Sequence, residues 1–300
     1  RPGARLILIG DANQLPSVGP GNVLRDIIES GCFKVGNLTE IHRQGNGSSI
    51  VLNAHRINSG KLPDLSNKNL DFFFMQRYTT SSVISTVIDL ITKRLPTKYG
   101  EEIKEQTQIL CAMRKSDIGT KSMNETLQKI ENPESRLKEE VKSRDIVFRE
   151  GDKVIQTRNN YQLEWSRDTI FGTEELGIGI FNGDIGTIEK IDNSDKKMYV
   201  NFEGKLAVYD TMELDDLEHA YAITIHKSQG SEYPVVILPI LKNSPLLMTR
   251  NLLYTAITRA KKMVIIVGDR EAVEHMVNNA ASKRRYTKFT EILKSNYENI

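Results

Sequence analysis

The sequence has few residues of the kinds that build metal sites, disulfide frameworks or membrane spans. It contains two cysteines among 300 residues, Cys32 and Cys111, in apolar surroundings and without a metal-ligand spacing. The five histidines are scattered along the chain. We therefore expect no Cys/His metal site, and we expect buried, inert thiols in a reducing cytoplasm. No apolar run is long enough to predict a membrane span, and no signal peptide is visible.

The sequence features that usually hold nucleotide phosphates and their metal ion are also absent. A P-loop has the pattern Gly-x-x-x-x-Gly-Lys followed by Ser or Thr, whose amides and lysine surround the phosphates. Gly60-Lys61 and Gly204-Lys205 lack both the upstream glycine and the following hydroxyl. No Asp-Glu pair that could hold magnesium ends an apolar strand. The chain by itself is therefore expected to have no ATPase activity.

The overall composition is that of an ordinary globular protein. Apolar residues make up 39% and charged residues 27% of the chain, which is enough to form a substantial core. A net charge of +2 is only mildly basic, so any nucleic-acid site must come from local clustering of basic residues. The length predicts two domains, or one large domain with an insertion.

Two segments near the carboxyl terminus carry most of the functional information. The first, Ala220 to Tyr233, begins as a strand and continues into a polar loop around Gly230. Its hydroxyl, amide and imidazole groups suit contacts with a nucleic-acid backbone. The second, Leu253 to Lys262, predicts a helix that places Arg259 among small residues, just before an apolar strand. A permanently charged arginine suits the negative charge that develops on a phosphate at a domain interface.

Two earlier segments complete the pattern. Leu6 to Ile9 is a continuous apolar run, which predicts a strand buried on both faces. It leads into the polar segment Gly10 to Gly21, which contains Gln14, and Asn22 is expected to cap a following helix. The segment Asn37 to Gln44 then predicts a short strand that ends near Arg43.

Together these segments resemble four motifs of the superfamily-one helicases, in the form found in the RecD-like, 5′-to-3′ branch. Gly10 to Gly21 resembles motif III, Asn37 to Gln44 motif IV, Ala220 to Tyr233 motif V, and Leu253 to Lys262 motif VI. The resemblance implies the carboxy-terminal half of an ATP-dependent DNA helicase of the RecD or exodeoxyribonuclease V alpha type. ATP would bind between two motor domains, and Mg²⁺ would be held mainly by a missing amino-terminal half. Gln14, Arg43 and Arg259 would be catalytic, and Gly230 and Glu232 would join them around the nucleotide.

The same resemblance implies a path for single-stranded DNA, and contacts with duplex junctions and accessory nuclease or repair subunits. Single-strand sites usually combine backbone contacts with aromatic side chains on which bases stack. The DNA-binding residues would come from the barrel entrance and from the motif V loop: Arg158, Asn159, Asn160, Tyr161, Thr224, His226, Lys227, Ser228 and Gln229.

The secondary-structure pattern predicts an α/β fold with a RecA-like parallel sheet and an inserted small SH3-like β-barrel. Helices and strands alternate up to residue 143, which is typical of a doubly wound sheet. From Arg144 onwards short alternating strands and frequent turns predict the barrel. Within it, Gln162 to Ile180 is expected to be a long surface loop that is mobile or contacts a partner.

Four parts of the chain follow from this interpretation. Residues 1–34 would be a remnant of the first motor domain, and residues 35–150 and 218–300 would form the second. Residues 151–217 would be the barrel with its entry segment. Two other functions share these features: a non-enzymatic nucleic-acid-binding module, and the helicase part of a conjugative relaxase.

Overall fold

The computed structural model describes residues 3–16, 19, 21–38, 47–168, 172–243, 247–280 and 287–297. Within these ranges no helix combines the length and apolar character that crossing a membrane would need. The α-helices are α1 (Val23–Ser30), α2 (Ser49–Asn58), α3 (Thr80–Asp89), α4 (Leu95–Tyr99), α5 (Thr120–Glu131), α6 (Arg250–Ile257), α7 (Arg270–Asn278) and α8 (Phe289–Tyr297). A π-helical segment, Leu90–Arg94, joins α3 to α4, and two short 3₁₀ turns lie at Glu101–Ile103 and Leu214–Asp216.

The strands belong to three sheets. They are β1 (Phe72–Gln76), β2 (Thr107–Cys111), β3 (Glu140–Ser143), β4 (Ile146–Arg149), β5 (Lys153–Gln156), β6 (Asn160–Asp168), β7 (Glu174–Ile180), β8 (Ile185–Asp192), β9 (Lys197–Phe202), β10 (Lys205–Asp210), β11 (Leu217–His219), β12 (Ala222–Thr224), β13 (Tyr233–Ile240) and β14 (Ala260–Gly268).

A five-stranded parallel sheet forms the centre of the larger unit. Its strand order is β1-β14-β13-β2-β12, and every neighbouring pair is parallel. One face packs against α2, α6 and α7, and the other packs against α3, α4 and α5. Strands β2 and β13 are almost entirely buried because helices cover both faces. The predicted parallel α/β fold is confirmed.

The second sheet is antiparallel and corresponds to the predicted insertion. Its seven strands run in the order β11-β5-β8-β9-β10-β6-β7. Inward-facing residues alternate along β9, where Met198, Val200 and Phe202 are buried. They form a separate core with Phe148 and Ile188, and this separate core makes the insertion a packed unit of its own. A small β3–β4 hairpin lies beside this unit.

The prediction of an irregular loop from Gln162 to Ile180 is wrong. Strands β6 and β7 form an antiparallel hairpin there, in which Trp165 pairs with Gly177. A Cβ atom on Gly177 would lie 2.2 Å from the Trp165 ring, so the indole lies directly over this glycine. The sequence signal was weak because glycine takes the place of the apolar residue that normally marks a strand.

The prediction of a buried strand at Leu6 to Ile9 is also wrong. These residues form no strand, and the side chains of Leu6, Ile7 and Ile9 are 84%, 79% and 94% exposed. Among the described residues no strand lies beside them, and an apolar segment without a pairing partner cannot be buried in a sheet. Helix α1 begins where predicted, but the Asn22 side chain makes no capping hydrogen bond.

The two cysteines differ in their surroundings. Cys111 is fully buried in β2, and burial raises the pKa of its thiol to about 12, so the thiol stays protonated and unreactive as predicted. Cys32 lies just after α1 and is only partly buried, so the prediction of a buried thiol does not hold there.

One buried carboxylate joins the two units. Asp152, at the start of β5, is 0% exposed. Its oxygens accept hydrogen bonds from Asn132 Nδ2 (2.7 Å), Tyr221 Oη (2.9 Å), Arg149 N (2.8 Å) and Gln128 Nε2 (2.6 Å), and one lies 3.1 Å from His219 Nε2. These partners come from the end of α5, from β4 and from the β11–β12 connection. Asp152 therefore links the helical layer of the parallel sheet to the barrel.

Hydrogen bonding decides the protonation state of this carboxylate. Burial alone would raise its pKa, but the bonds from His219, Asn132 and the Arg149 amide outweigh that effect. The pKa of Asp152 is therefore below its usual value, and the group is ionised at neutral pH.

A close backbone contact yields a first prediction, about folding stability. Gly268 ends β14 opposite Ile240 of β13, and a Cβ atom there would lie 1.7 Å from the Ile240 carbonyl oxygen. Because that oxygen belongs to the central sheet, it cannot move without breaking the ladder. Gly268→Ala is expected to lower the free energy of unfolding by about 1–3 kcal/mol, measured by denaturant titration. Gly36→Ala is the control, since nothing lies within 4 Å of its Cβ, and equal stability of the two variants would contradict this account.

Candidate functional site

Arg259 is the best-defined residue of the site. It lies between the end of α6 and the start of β14, and only 5% of it is exposed. Its guanidinium donates from Nη2 to Gln14 Oε1 (3.1 Å) and from Nη1 to the Ser231 carbonyl (3.1 Å). Nε also faces the Thr255 carbonyl at 3.3 Å. These three oxygens fix the orientation of the guanidinium group.

Helix α6 holds the Gln14 segment against this arginine. The Tyr254 hydroxyl donates to Asp11 Oδ2 (3.0 Å), and the Leu15 amide donates to Thr255 Oγ1 (2.9 Å). Asn251 Nδ2 also reaches the Gln14 carbonyl at 3.4 Å. Burial, with a smaller contribution from the Asp11 charge, raises the pKa of Tyr254 above its usual value, so its hydroxyl remains a donor.

The structure therefore brings together two predicted residues, Gln14 and Arg259, that are 245 positions apart. The sequence analysis missed the residues that dock them, Asp11, Tyr254 and Thr255. Their only signal was that all three lie inside the two motif segments. Arg43 belongs to the segment 39–46, which lies outside the described residues, so its predicted role stays a prediction.

The segment 225–232 connects the two ends of the parallel sheet. Thr224, the last residue of β12, pairs with Cys111 at the carboxyl end of β2. Strand β13 starts at Tyr233, and its first pair with β2 is Val235 with Thr107, at the amino end of β2. Along this path Gln229 Nε2 donates to the Leu15 carbonyl (2.7 Å). The side chain of Gln229, predicted to contact DNA, thus lies against the Gln14 segment.

The other two residues predicted to lie around the nucleotide, Gly230 and Glu232, are at the end of this segment. Gly230 has a φ of +87°, a conformation that favours glycine, and it turns the chain towards β13. Glu232 lies 3.3 Å from Lys261 Nζ and is mostly buried. Both residues are therefore near Arg259 in the chain's path, since Ser231 between them is bonded to its guanidinium.

A cleft of about 210 Å³ lies at the opposite, carboxyl end of β2 and β12. It separates the parallel sheet from the barrel, and its polar lining residues are Arg114, Thr120, Thr157, Glu218, His219, Thr224 and Lys227. The Arg114 loop is tied to the start of α5, because the Thr120 amide donates to the Met113 carbonyl (3.1 Å). Of these residues the sequence analysis identified only Thr224 and Lys227. Arg114 and Thr157 could have been suspected only as polar residues that follow buried strands.

Two other residues of the motif V loop have different surroundings. Ser228 is 0% exposed, and its hydroxyl donates to the Ile225 carbonyl (2.8 Å). This side chain stabilises the turn and is not available to a ligand, which does not fit its predicted DNA contact. The His226 side chain is exposed at the surface, yet partial desolvation by the protein lowers the pKa of its imidazole below the usual value. It is therefore neutral at pH 7 and suited to hydrogen bonding.

The barrel entrance presents the other predicted DNA residues. Arg158 follows Thr157 of the cleft and is 79% exposed, at 3.6 Å from Asp216 Oδ1. Tyr161 is 65% exposed and makes an edge-to-face contact with Phe181, with ring centroids 5.6 Å apart. Sequence analysis missed Phe181, although it is partly exposed beside Tyr161.

The two asparagines at the barrel entrance have structural bonds. Asn159 Oδ1 accepts from the Asn182 amide (2.9 Å), and Asn160 Oδ1 accepts from the Gln162 and Leu163 amides (3.1 Å each). Both side chains therefore shape the start of the hairpin. The described part of the chain contains no group of three or more His, Cys, Asp or Glu residues that could hold a metal ion.

Three family models match the sequence. Residues 1–73 match an AAA domain, residues 123–202 match the SH3 domain of ATP-dependent RecD-like DNA helicases, and residues 219–267 match a UvrD-like helicase C-terminal domain. The SH3 match includes β8 and β9 of the antiparallel sheet. The UvrD-like match contains the motif V loop, α6 and Arg259.

Curated relatives match nearly the whole chain. The chain is 29% identical to the ATP-dependent RecD2 DNA helicase of Deinococcus radiodurans over 97% of its own length and 36% of the relative's. It is also 29% identical to the RecBCD enzyme subunit RecD of Mycobacterium tuberculosis, covering 94% of this chain and 48% of that protein. The chain thus spans between one third and one half of the length of these relatives.

A solved structure has the same fold. The Pif1 helicase from Bacteroides, crystallised in complex with ADP-AlF3 and ssDNA, superposes with a TM-score of 0.51 at 18% identity. The match covers 97% of this chain and 66% of that one.

Proposed function

We propose, from the premise that this chain is a region of a RecD-like superfamily-one DNA helicase, that the whole protein couples ATP hydrolysis to movement along single-stranded DNA and to duplex unwinding. Residues 35–150 and 218–300 would supply the second motor domain, and residues 151–217 its barrel insertion. The observation that carries the proposal is the hydrogen bond between Arg259 and Gln14, which joins the motif VI and motif III side chains in one partly buried site.

The nucleotide would meet this chain at the Arg259 end of the sheet. Hydrogen bonds to Thr255, Ser231 and Gln14 hold Arg259 in a fixed position, from which its positive charge would act on a triphosphate whose negative charge increases during transfer. Gln14 would orient the attacking water or the γ-phosphate, and Arg43 would approach from its own segment. By the family resemblance, most of the phosphate contacts and the carboxylates for Mg²⁺ would come from another part of the protein.

Single-stranded DNA would cross the other, carboxyl end of the sheet. The cleft offers two cationic side chains, Arg114 and Lys227, and two hydroxyl groups, those of Thr120 and Thr224, which together suit a backbone phosphate. From there Arg158 and the Tyr161–Phe181 pair would continue the path over the barrel, with the rings available for base stacking.

The segment 225–232 would couple the two ends. It follows Thr224 of the cleft and contains Ser231, which bonds Arg259. A shift of this segment when ATP is bound or hydrolysed would therefore also move residues that contact the DNA. Accessory subunits are a further proposal, since the mycobacterial relative is itself a subunit of the RecBCD enzyme.

The direct test is ATP turnover by the whole protein, measured with and without single-stranded DNA. We expect DNA to stimulate turnover. A protein that binds DNA but never hydrolyses ATP would be the non-enzymatic binding module instead. A tyrosine-based nicking domain elsewhere in the protein would favour the relaxase.

A second prediction concerns the salt dependence of DNA binding. Replacing both Arg158 and Lys227 by alanine is expected to weaken binding and to make the log–log slope of affinity against salt shallower by about 0.7 per lost phosphate contact. Fluorescence anisotropy of an oligothymidylate over a series of NaCl concentrations would measure it. The matched control is Lys129→Ala with Arg136→Ala, two exposed basic residues that do not line the cleft. If both double variants changed the slope equally, the path would lie elsewhere.

A further inference from the structure

Glu218 is placed between the two cations of the cleft. Its Oε2 accepts from Lys227 Nζ at 2.8 Å, and its Oε1 lies 3.3 Å from Arg114 Nη2. The side chain of Glu218 is 24% exposed. Each of its oxygens thus engages one of the two basic groups that the proposed function assigns to a DNA phosphate.

The backbone around Glu218 fixes this position. Strand β11 pairs with β5, with Glu218 opposite Ile155. Because side chains alternate along a strand, Glu218 faces the cleft while Leu217 before it is buried in the barrel core. His219, which borders the cleft, is fixed by its contact with Asp152. The carboxylate therefore cannot move away from the cleft by a simple turn of the chain, and only its side-chain torsions are free.

A carboxylate and a phosphate bind the same partners. Both are oxygen anions that accept charge-assisted hydrogen bonds from lysine and arginine. A phosphate that entered the cleft would have to take Lys227 and Arg114 from Glu218, and the displaced carboxylate would then lie close to another negative charge. Both effects oppose the binding of single-stranded DNA.

We propose that Glu218 is an affinity-setting residue of the strand site, a built-in competitor that occupies both cations until a DNA phosphate displaces it. This inference rests on the proposed function and deepens it. The competition keeps strand affinity moderate, which suits a motor that must release each phosphate in order to move.

Glu218→Gln in the whole protein tests the proposal. The amide keeps the shape of the side chain but removes the charge, so both cations become available to the strand. We expect affinity for a short oligothymidylate without nucleotide to rise by about threefold to thirtyfold, the range for releasing two partly exposed ion pairs. The salt dependence should also become steeper by up to about 0.7 in log–log slope, because one more charge then acts on the phosphate.

Glu213→Gln is the matched control. It removes the same single charge from an exposed glutamate of the preceding turn, outside the cleft. A general effect of net charge would raise affinity equally in both variants and would overturn the proposal, as would an unchanged affinity in Glu218→Gln with an unchanged melting temperature. Adding Lys227→Ala to Glu218→Gln should remove most of the gain. If the single variant is unstable, the double variant is compared with Lys227→Ala alone: it should bind more tightly, because Arg114 is released, and equal affinities would overturn the proposal.

Two outcomes distinguish a wrong role for Glu218 from a wrong function for the protein. If the unaltered protein binds single strands but Glu218→Gln behaves like Glu213→Gln, only the role of Glu218 is wrong. If the unaltered protein binds no single strands, the proposed function itself is wrong.

Discussion

Replacing Arg259 by alanine in the whole protein is expected to lower DNA-stimulated ATP turnover by about 10³- to 10⁵-fold, the range for arginines that act on a transferring phosphoryl group. The charge is needed most once the γ-phosphate begins to leave, so the loss should fall on kcat. Affinity for single-stranded DNA without nucleotide should stay nearly unchanged, because Arg259 lies at the end of the sheet opposite the cleft. Steady-state turnover and anisotropy measure the two quantities.

Two further variants make this result interpretable. Arg250→Ala removes an arginine from the other end of the same helix, where Nε donates to the Val277 carbonyl (2.7 Å), and should retain turnover. Arg259→Lys should remain poor, because an ammonium group cannot reach Gln14 and Ser231 with a planar fork of donors. Near-normal turnover in Arg259→Ala would show that the motif VI assignment is wrong.

Replacing Asp152 by alanine is expected to lower the free energy of unfolding by about 3–5 kcal/mol, as for other buried charged groups that lose a partner. The substitution would leave Asn132, Gln128, Tyr221 and His219 without their common acceptor inside the junction. Denaturant unfolding measures the change. Asp195→Ala, in an exposed turn of the barrel, should be close to neutral, and similar losses in both variants would contradict the role of Asp152 as a link.

The same carboxylate predicts an acid limb in stability. Its pKa is lower in the folded protein than the ordinary value of 3.8, so its contribution is complete above that value. The contribution is lost as the pH falls through the folded pKa, where the carboxylate takes up a proton. Unfolding free energies measured below about pH 4 should therefore fall more steeply in the unaltered protein than in Asp152→Asn.

The elements predicted best are those with strong local periodicity. Apolar residues at helical spacing marked α2 and α3, and alternation marked β9 and β10, because those patterns depend only on which face meets the core. The Leu6 to Ile9 run had the composition of a buried strand but no pairing partner among the described residues. The β6–β7 hairpin was missed because Gly177 stands where an apolar residue would mark a strand. The indole of Trp165 fills the space above this glycine.

The sequence by itself determined the fold class, the family resemblance and the main candidate residues, Gln14, Thr224, Lys227 and Arg259, because residue type and short spacing are local properties. The tertiary structure alone decided which of them meet. It brings Gln14 to Arg259, places Arg114 and Glu218 beside Lys227, and turns Gln229 and Ser228 away from the cleft. These contacts join residues from different strands, helices and loops. They follow from the order of strands in a sheet and from side-chain packing, neither of which any single stretch of sequence contains.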